Sequence, residues 1–199
     1  MERTICWFAN PMEQEAQELA RGLRRRDVDV LDRLIQQYHY RLFRYLLMLA
    51  GRRQAAEDLF QETWVRVLEK GHQYNPRWKF ETWLFTVARN LVIDLLRRRQ
   101  PESLEALLEA PGATRPLELE APHATTAFEE VARGEEAARV AGALRHLPPA
   151  YREVLMLRFQ EDLELNEIAE VVGAPLSTIK SRLYRGLETL RALLEGGNA

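Results

Sequence analysis

Cysteine is all but missing from this 199-residue chain: Cys6 stands alone, so no disulfide can form within it and no thiolate cluster can hold zinc. That scarcity fits a reducing compartment. Histidine is nearly as rare, and His39, His72, His123 and His146 are scattered without metal-ligand spacing, so they read as surface or packing side chains and no metal is expected. No apolar run reaches the ~20 residues of a membrane span, and Met1-Glu-Arg-Thr-Ile-Cys-Trp7 lacks the hydrophobic stretch of a secretion signal. A cytoplasmic location is expected. Also missing are a glycine-rich phosphate loop and a nucleophile beside a base, so neither an enzyme nor a cofactor is anticipated. Strand-like alternation is absent from the first hundred residues, which removes a βαβ receiver domain and points to an all-α chain.

Net charge is small, with 28 basic against 30 acidic residues giving −2, but the charge is segregated. Residues 1–100 carry 18 basic and 13 acidic side chains (+5), 101–140 carry 3 and 9 (−6), and 141–199 carry 7 and 8 (−1). A basic front, an acidic middle and a near-neutral back imply different partners for different parts. The apolar content suffices for two small cores.

Residues 1–12 read as a loose leader ending near Pro11. Helical patterns follow at 13–25, at 28–37 with Asp27 as N-cap, and at 38–49 with Gly51 as C-terminal cap. In 53–70, Ala56, Leu59, Phe60, Thr63, Trp64, Val67 and Leu68 form a core stripe, and Asp58, Gln61, Glu62 and Glu69 lie opposite. Segment 100–126 changes character, with Pro101, Pro111, Pro116, Pro122 and five glutamates, and reads as an acidic linker with room for one short helix near 103–108. A further helix is expected from about 128 to 146. Leu147-Pro-Pro149 then forms a junction into a packing helix at 150–159.

Two stretches carry the functional signal. In 79–99, Phe80, Trp83, Leu84, Val87, Leu91 and Leu95 share one helical face, while Thr82, Thr86, Arg89, Asn90 and Arg97 gather on another arc. That second arc suits either contact with phosphates and base edges or plain solvation. In the preceding loop, Tyr74 and Trp78 stand among Asn75, Arg77 and Lys79. Aromatic faces among cations suit unstacked bases, and the other reading is a loop pinned to the core by Trp78.

The second stretch has helix-turn-helix spacing: small Ala169, Gly173 four residues on at the turn, and Ile168, Val172, Ile179 and Leu183 along the seam. The second helix presents Ser177, Thr178, Lys180, Ser181, Arg182 and Arg185 away from that seam, with four basic residues and one acidic over 176–193. Such side chains early in a recognition helix suit a major groove.

Three pieces together, Ala56-Glu-Asp-Leu-Phe-Gln-Glu-Thr-Trp64, Phe80-Glu-Thr-Trp-Leu-Phe-Thr-Val-Ala-Arg-Asn90 with Asp94 and Arg97-Arg-Arg99, and Leu147-Pro-Pro-Ala-Tyr-Arg-Glu-Val-Leu155 leading into the helix-turn-helix, resemble the extracytoplasmic-function (ECF) sigma factors of bacteria. The resemblance implies an all-α fold of two small helical domains: region 2 over 1–100, a flexible acidic linker over 101–127, and region 4 over 128–199. It implies core RNA polymerase and promoter DNA as partners, and an anti-sigma factor that holds the protein inactive until stress releases it. Asp58, Gln61 and Glu62 match the surface that docks on the polymerase. Tyr74 matches the loop that captures a flipped base, and Thr86, Arg89 and Asn90 match the adjoining surface for the opened strand. With the neighbouring groups, the minus-ten set is Tyr74, Asn75, Arg77, Trp78, Lys79, Thr82, Thr86, Arg89, Asn90 and Arg97. Ser177, Thr178, Lys180, Ser181, Arg182 and Arg185 form the minus-thirty-five set. The linker, with Glu105, Glu109, Glu118 and Glu120, would occupy basic polymerase channels until RNA displaces it. The loop lacks the glycines common in the family, and Asp94 is expected to pair internally with an arginine. The rival reading is a two-domain helix-turn-helix regulator with no polymerase-docking role.

Overall fold

The computed structural model describes residues 11–99 and 135–196. The leader up to residue 10, the acidic linker and the start of the helix expected from 128 lie outside them. The described residues form eight α-helices and one short 3-10 turn, and no strand occurs among them.

Helix α1 (Pro11–Arg25) starts on a proline, which costs nothing at a position with no intrahelical N–H bond to lose. Asp27 then caps α2 (Val28–Ala50), its Oδ1 accepting from the N–H groups of Asp29 and Val30 at 3.0 and 3.4 Å. The two segments expected at 28–37 and 38–49 are one continuous helix. It ends at Gly51, which takes φ 70° and donates its N–H to Leu47 O at 2.9 Å.

Helix α3 (Arg53–Lys70) buries Ala56, Leu59, Thr63, Trp64 and Val67 against α2 and the following helix, α4 (Phe80–Arg99). Thr63 sits in that apolar stripe because its hydroxyl donates to Leu59 O at 2.7 Å. Leu68, expected in the core, is at the exposed edge.

After the 3-10 turn at Gly71–Gln73, helix α4 (Phe80–Arg99) packs on α3 and α2 through Phe80, Leu84 and Ala88. Phe85 and Val92 are buried too, so α4 has more than the single apolar stripe expected, and the later helix Leu165–Val172 covers part of its circumference. Asp94 does not lie inside: it is exposed, and among the described residues no arginine pairs with it. It falls beyond the apolar arc, where water solvates a carboxylate better than a buried partner would.

The second module begins with α5 (Glu135–His146) and α6 (Pro149–Phe159). Arg152 of α6 closes the end of α5 by donating to Leu144 O, Arg145 O and Leu147 O at 2.8, 2.6 and 2.8 Å. Burial lowers the pKa of this guanidinium, whose charge the helix C-terminus favours. Helices α7 (Leu165–Val172) and α8 (Leu176–Gly196) form the helix-turn-helix. Gly173 takes φ 66° and bonds to Ala169 O at 2.9 Å, and Ile168, Val172 and Ile179 are buried at the seam.

The modules share one core. Val154, Leu157, Leu163 and Ile168 are continuous with Leu42, Tyr45, Leu84 and Phe85 of the first module.

Candidate nucleic-acid interface

The loop before α4 is held by its tyrosine. Tyr74 is buried, packs edge-on against Phe80 with ring centroids 5.7 Å apart and tilted against Trp83 at 5.6 Å, and donates its hydroxyl to Trp78 O at 2.8 Å. Burial first, and then the Glu81 carboxylate, push its pKa up to about 12. The pin that one reading placed at Trp78 is Tyr74: a ring with its one polar atom satisfied can be buried, and the indole is left 48% exposed. Asn75 shapes the turn by accepting the Arg77 N–H on Oδ1 at 3.1 Å, which leaves Arg77 and Trp78 facing solvent.

Along α4 the side chains expected at the minus-ten element are divided. Asn90 and Arg97 are exposed. Thr82 and Arg89 are buried, and Thr86 is half-buried with its hydroxyl donated to Thr82 O at 2.7 Å. Lys79, Thr82, Thr86 and Arg89 follow one another at helical spacing on a single face. Both ends of that face meet the second module: Lys79 Nζ lies 3.2 Å from Glu167 Oε2, and Arg89 Nε donates to Glu153 Oε1 at 2.8 Å. The arc read as strand-binding or solvated is, in this arrangement, largely neither. Carboxylates of the second module occupy its cations, and Thr82 Oγ1 is buried with no hydrogen-bond partner among the described residues.

Sequence reading missed those carboxylates. Glu153 lies on the same face of α6 as Ala150 and Leu157, a position where only a paired charge survives burial, and that offered the one available signal. Tyr45 donates its hydroxyl to Glu153 Oε1 as well, at 2.8 Å, and burial together with that carboxylate raises the tyrosine pKa well above its ordinary value. Glu161, in the turn after α6, accepts from Arg41 Nε and Arg44 Nη2 at 2.7 Å each.

The remaining candidate residues are mostly exposed. On α8, Ser177, Lys180, Ser181 and Arg185 are exposed and Thr178 and Arg182 partly so. On α3, Asp58 and Gln61 are exposed, and Glu62 pairs with Arg66 at 2.9 Å on the surface. Among the described residues no helix is long and apolar enough to cross a membrane, and no group of three or more His, Cys, Asp or Glu side chains is placed to hold a metal.

Two family models match in tandem, sigma-70 region 2 over residues 34–102 and sigma-70 region 4 over 137–190, which together define a sigma-70-type factor of two regions. The ECF RNA polymerase sigma factor SigE of Mycolicibacterium smegmatis is 35% identical over 82% of this chain, which spans 61% of that relative's length. RpoE of Cereibacter sphaeroides is 34% identical over 87% of this chain and 91% of its own length, and SigW of Bacillus subtilis 28% over 92% and 98%. The chain belongs to the ECF family of RNA polymerase sigma factors. Its fold matches CnrH, solved with the cytosolic domain of CnrY, at TM-score 0.61, 21% identity and coverage of 94% of this chain and 99% of that one. It also matches RpoE of Bartonella quintana, solved with the anti-sigma factor NepR, at 0.59, 23%, 82% and 96%.

Proposed function

We propose that the two modules divide promoter recognition, the second gripping upstream duplex through α8 and the first trapping unpaired nucleotides at the α4 face and its loop. The observation that carries this is the exposed basic start of α8, set behind a left-handed Gly173 turn as a groove-reading helix requires. Trp78 and Arg77 supply an exposed aromatic face beside a cation, which suits stacking on a base released from its neighbours. Asn90, Thr86 and Arg89 extend that surface. Asp58, Gln61 and Glu62 are the docking face for the core polymerase, an acidic and polar patch that α3 keeps in water. An anti-sigma factor is the third partner we infer, from membership of a family in which RpoE is solved with one. The role is one of binding in the cytoplasm, with no chemistry of its own.

Run-off transcription with purified core polymerase selects the promoters, and permanganate footprinting then reads the bubble. Trp78→Ala and Asn90→Ala each lower bubble reactivity about 10-fold or more, on the scale of ~1–3 kcal/mol for one stacked base. Undiminished footprints in both variants overturn the assignment of the melted strand. Retention of core polymerase by a variant with Asp58, Gln61 and Glu62 all changed to Ala overturns the docking face.

A further inference from the structure

We propose that the cationic cleft between α1, α2 and the loop at 74–79 is a track for the DNA phosphate backbone, carrying the strand on past the bases that the loop holds. This rests on the reading of that loop as a trap for unpaired nucleotides.

The cleft, of about 1000 Å³, has Arg21 and Arg25 on its α1 wall, Arg33 on its α2 wall and Arg77 beside Trp78 on its loop wall. Arg21 and Arg25 stand four residues apart and so share one side of their helix. All four arginines are exposed. Among the described residues no carboxylate closes on Arg25, Arg33 or Arg77, and Arg21 meets only Glu18, at 3.9 Å on the surface, where such a pair is worth little. Arg33 gives one N–H to Asp29 O at 3.4 Å, which leaves the rest of its fork open. The acids of the cleft are spent or set apart. Asp27 caps α2, Glu81 and Glu161 lie 3.8 and 2.7 Å from Arg41, Glu15 and Glu18 stand toward the start of α1, and Asp162 comes from the second module, outside the three walls.

Close backbone crossings fix the walls. A Cβ on Gly22 would stand 2.7 Å from Val30 Cγ2 and one on Gly71 3.0 Å from Leu23 Cβ, so α1 lies tight on both α2 and the start of the loop. Cations mounted on fixed walls lose less freedom when they take a ligand. The end of a helix favours cations in its last turn, which accounts for Arg24 and Arg25 but not for Arg21, Arg33 or Arg77. Arg26 adds a further cation at φ 56°, a conformation that glycine adopts at less cost. Guanidinium forks fit phosphate oxygens two at a time, and the cleft continues into the exposed Trp78 ring, so backbone and base find their partners side by side. An acidic protein segment would meet the same cations and leave the indole with nothing to stack on.

The test uses holoenzyme reconstituted from the full chain and purified core polymerase. Its DNA is a promoter selected by run-off transcription and a copy with a scrambled minus-ten element. Binding is measured across a range of salt concentrations for the parent, for the pair Arg21→Gln, Arg25→Gln and for the pair Arg21→Lys, Arg25→Lys. The glutamine pair binds both DNAs about tenfold more weakly, and its slope of log affinity against log salt is shallower by about 1–2, the share of two phosphate contacts. The loss is equal on the two DNAs because phosphates carry no sequence. The lysine pair restores affinity and slope, and core retention and the urea midpoint match the parent throughout. An unchanged slope overturns the track, as does a lysine pair that restores nothing. Lost core retention assigns these arginines to the polymerase, and weakening confined to the selected promoter makes them base readers; either result overturns the track. The trap is judged separately, by the footprints of Trp78→Ala. If those stay undiminished while the glutamine pair still flattens the slope, the trap reading falls and the phosphate contacts stand.

Discussion

Thr82 shows how a single side chain can be wrong for one state and right for another. Its hydroxyl is buried without a partner among the described residues, and an unsatisfied buried polar group costs about 1–3 kcal/mol. Replacing it with an isosteric methyl removes that cost, so Thr82→Val raises the stability of the free chain by about 1 kcal/mol, read as a higher urea midpoint with unchanged slope. The same change lowers bubble formation in the holoenzyme. Both Thr82 and Arg89 could be picked out from the sequence, because polar groups on an otherwise apolar helix are conspicuous. What now covers them could not be, since Arg89 meets Glu153 at a separation of 64 residues and nothing local links the two. Which aromatic pins the loop was not legible for a related reason. Spacing does not tell which of two aromatics in a short loop turns inward; that depends on whether the hydroxyl finds an acceptor, here the Trp78 carbonyl.

At the scale of elements, the caps and turns were the most legible features, because each rests on chemistry within a few residues. Asp27, Gly51, Pro149 and Gly173 all stand where the pattern placed them. Gly173 gives the sharpest test. Nothing lies within 4 Å of a Cβ added there, so only the backbone resists, with φ at +66°. Gly173→Ala destabilises the helix-turn-helix by about 1–2 kcal/mol and Gly173→Asn by distinctly less, as chemical denaturation measures. Equal losses for the two would place the cause in packing. Helix α4 was the least legible element. Its extra buried residues Phe85 and Val92 blur the one-sided pattern that periodicity detects, because burial beyond that stripe comes from helices late in the chain.

Over the whole molecule, buried tyrosines, of which Tyr45 reaches the second module through Glu153, set a limit at high pH. Burial raises the pKa of Tyr38 and Tyr45 well above the ordinary value and that of Tyr74 to about 12, with Glu81 adding to the first and third and Glu153 to the second. The unfolded chain releases these protons near pH ~10, while the folded chain holds them longer. Their contribution is therefore intact below about pH 10 and is lost as pH climbs through about 12. Circular dichroism followed against phenolate absorbance shows helix loss and tyrosine ionisation together in that window. Ionisation complete before any helix is lost contradicts the burial of these three side chains.

The pairing of Glu153 and Glu161 with the first module also has a genetic corollary. Because these carboxylates lie far along the chain from the arginines they meet, alleles that loosen the two modules need not alter any residue that touches a promoter. A screen for altered reporter expression should recover neutral replacements at Glu153 or Glu161, interior positions that a stability-minded reader would file as simple loss of function.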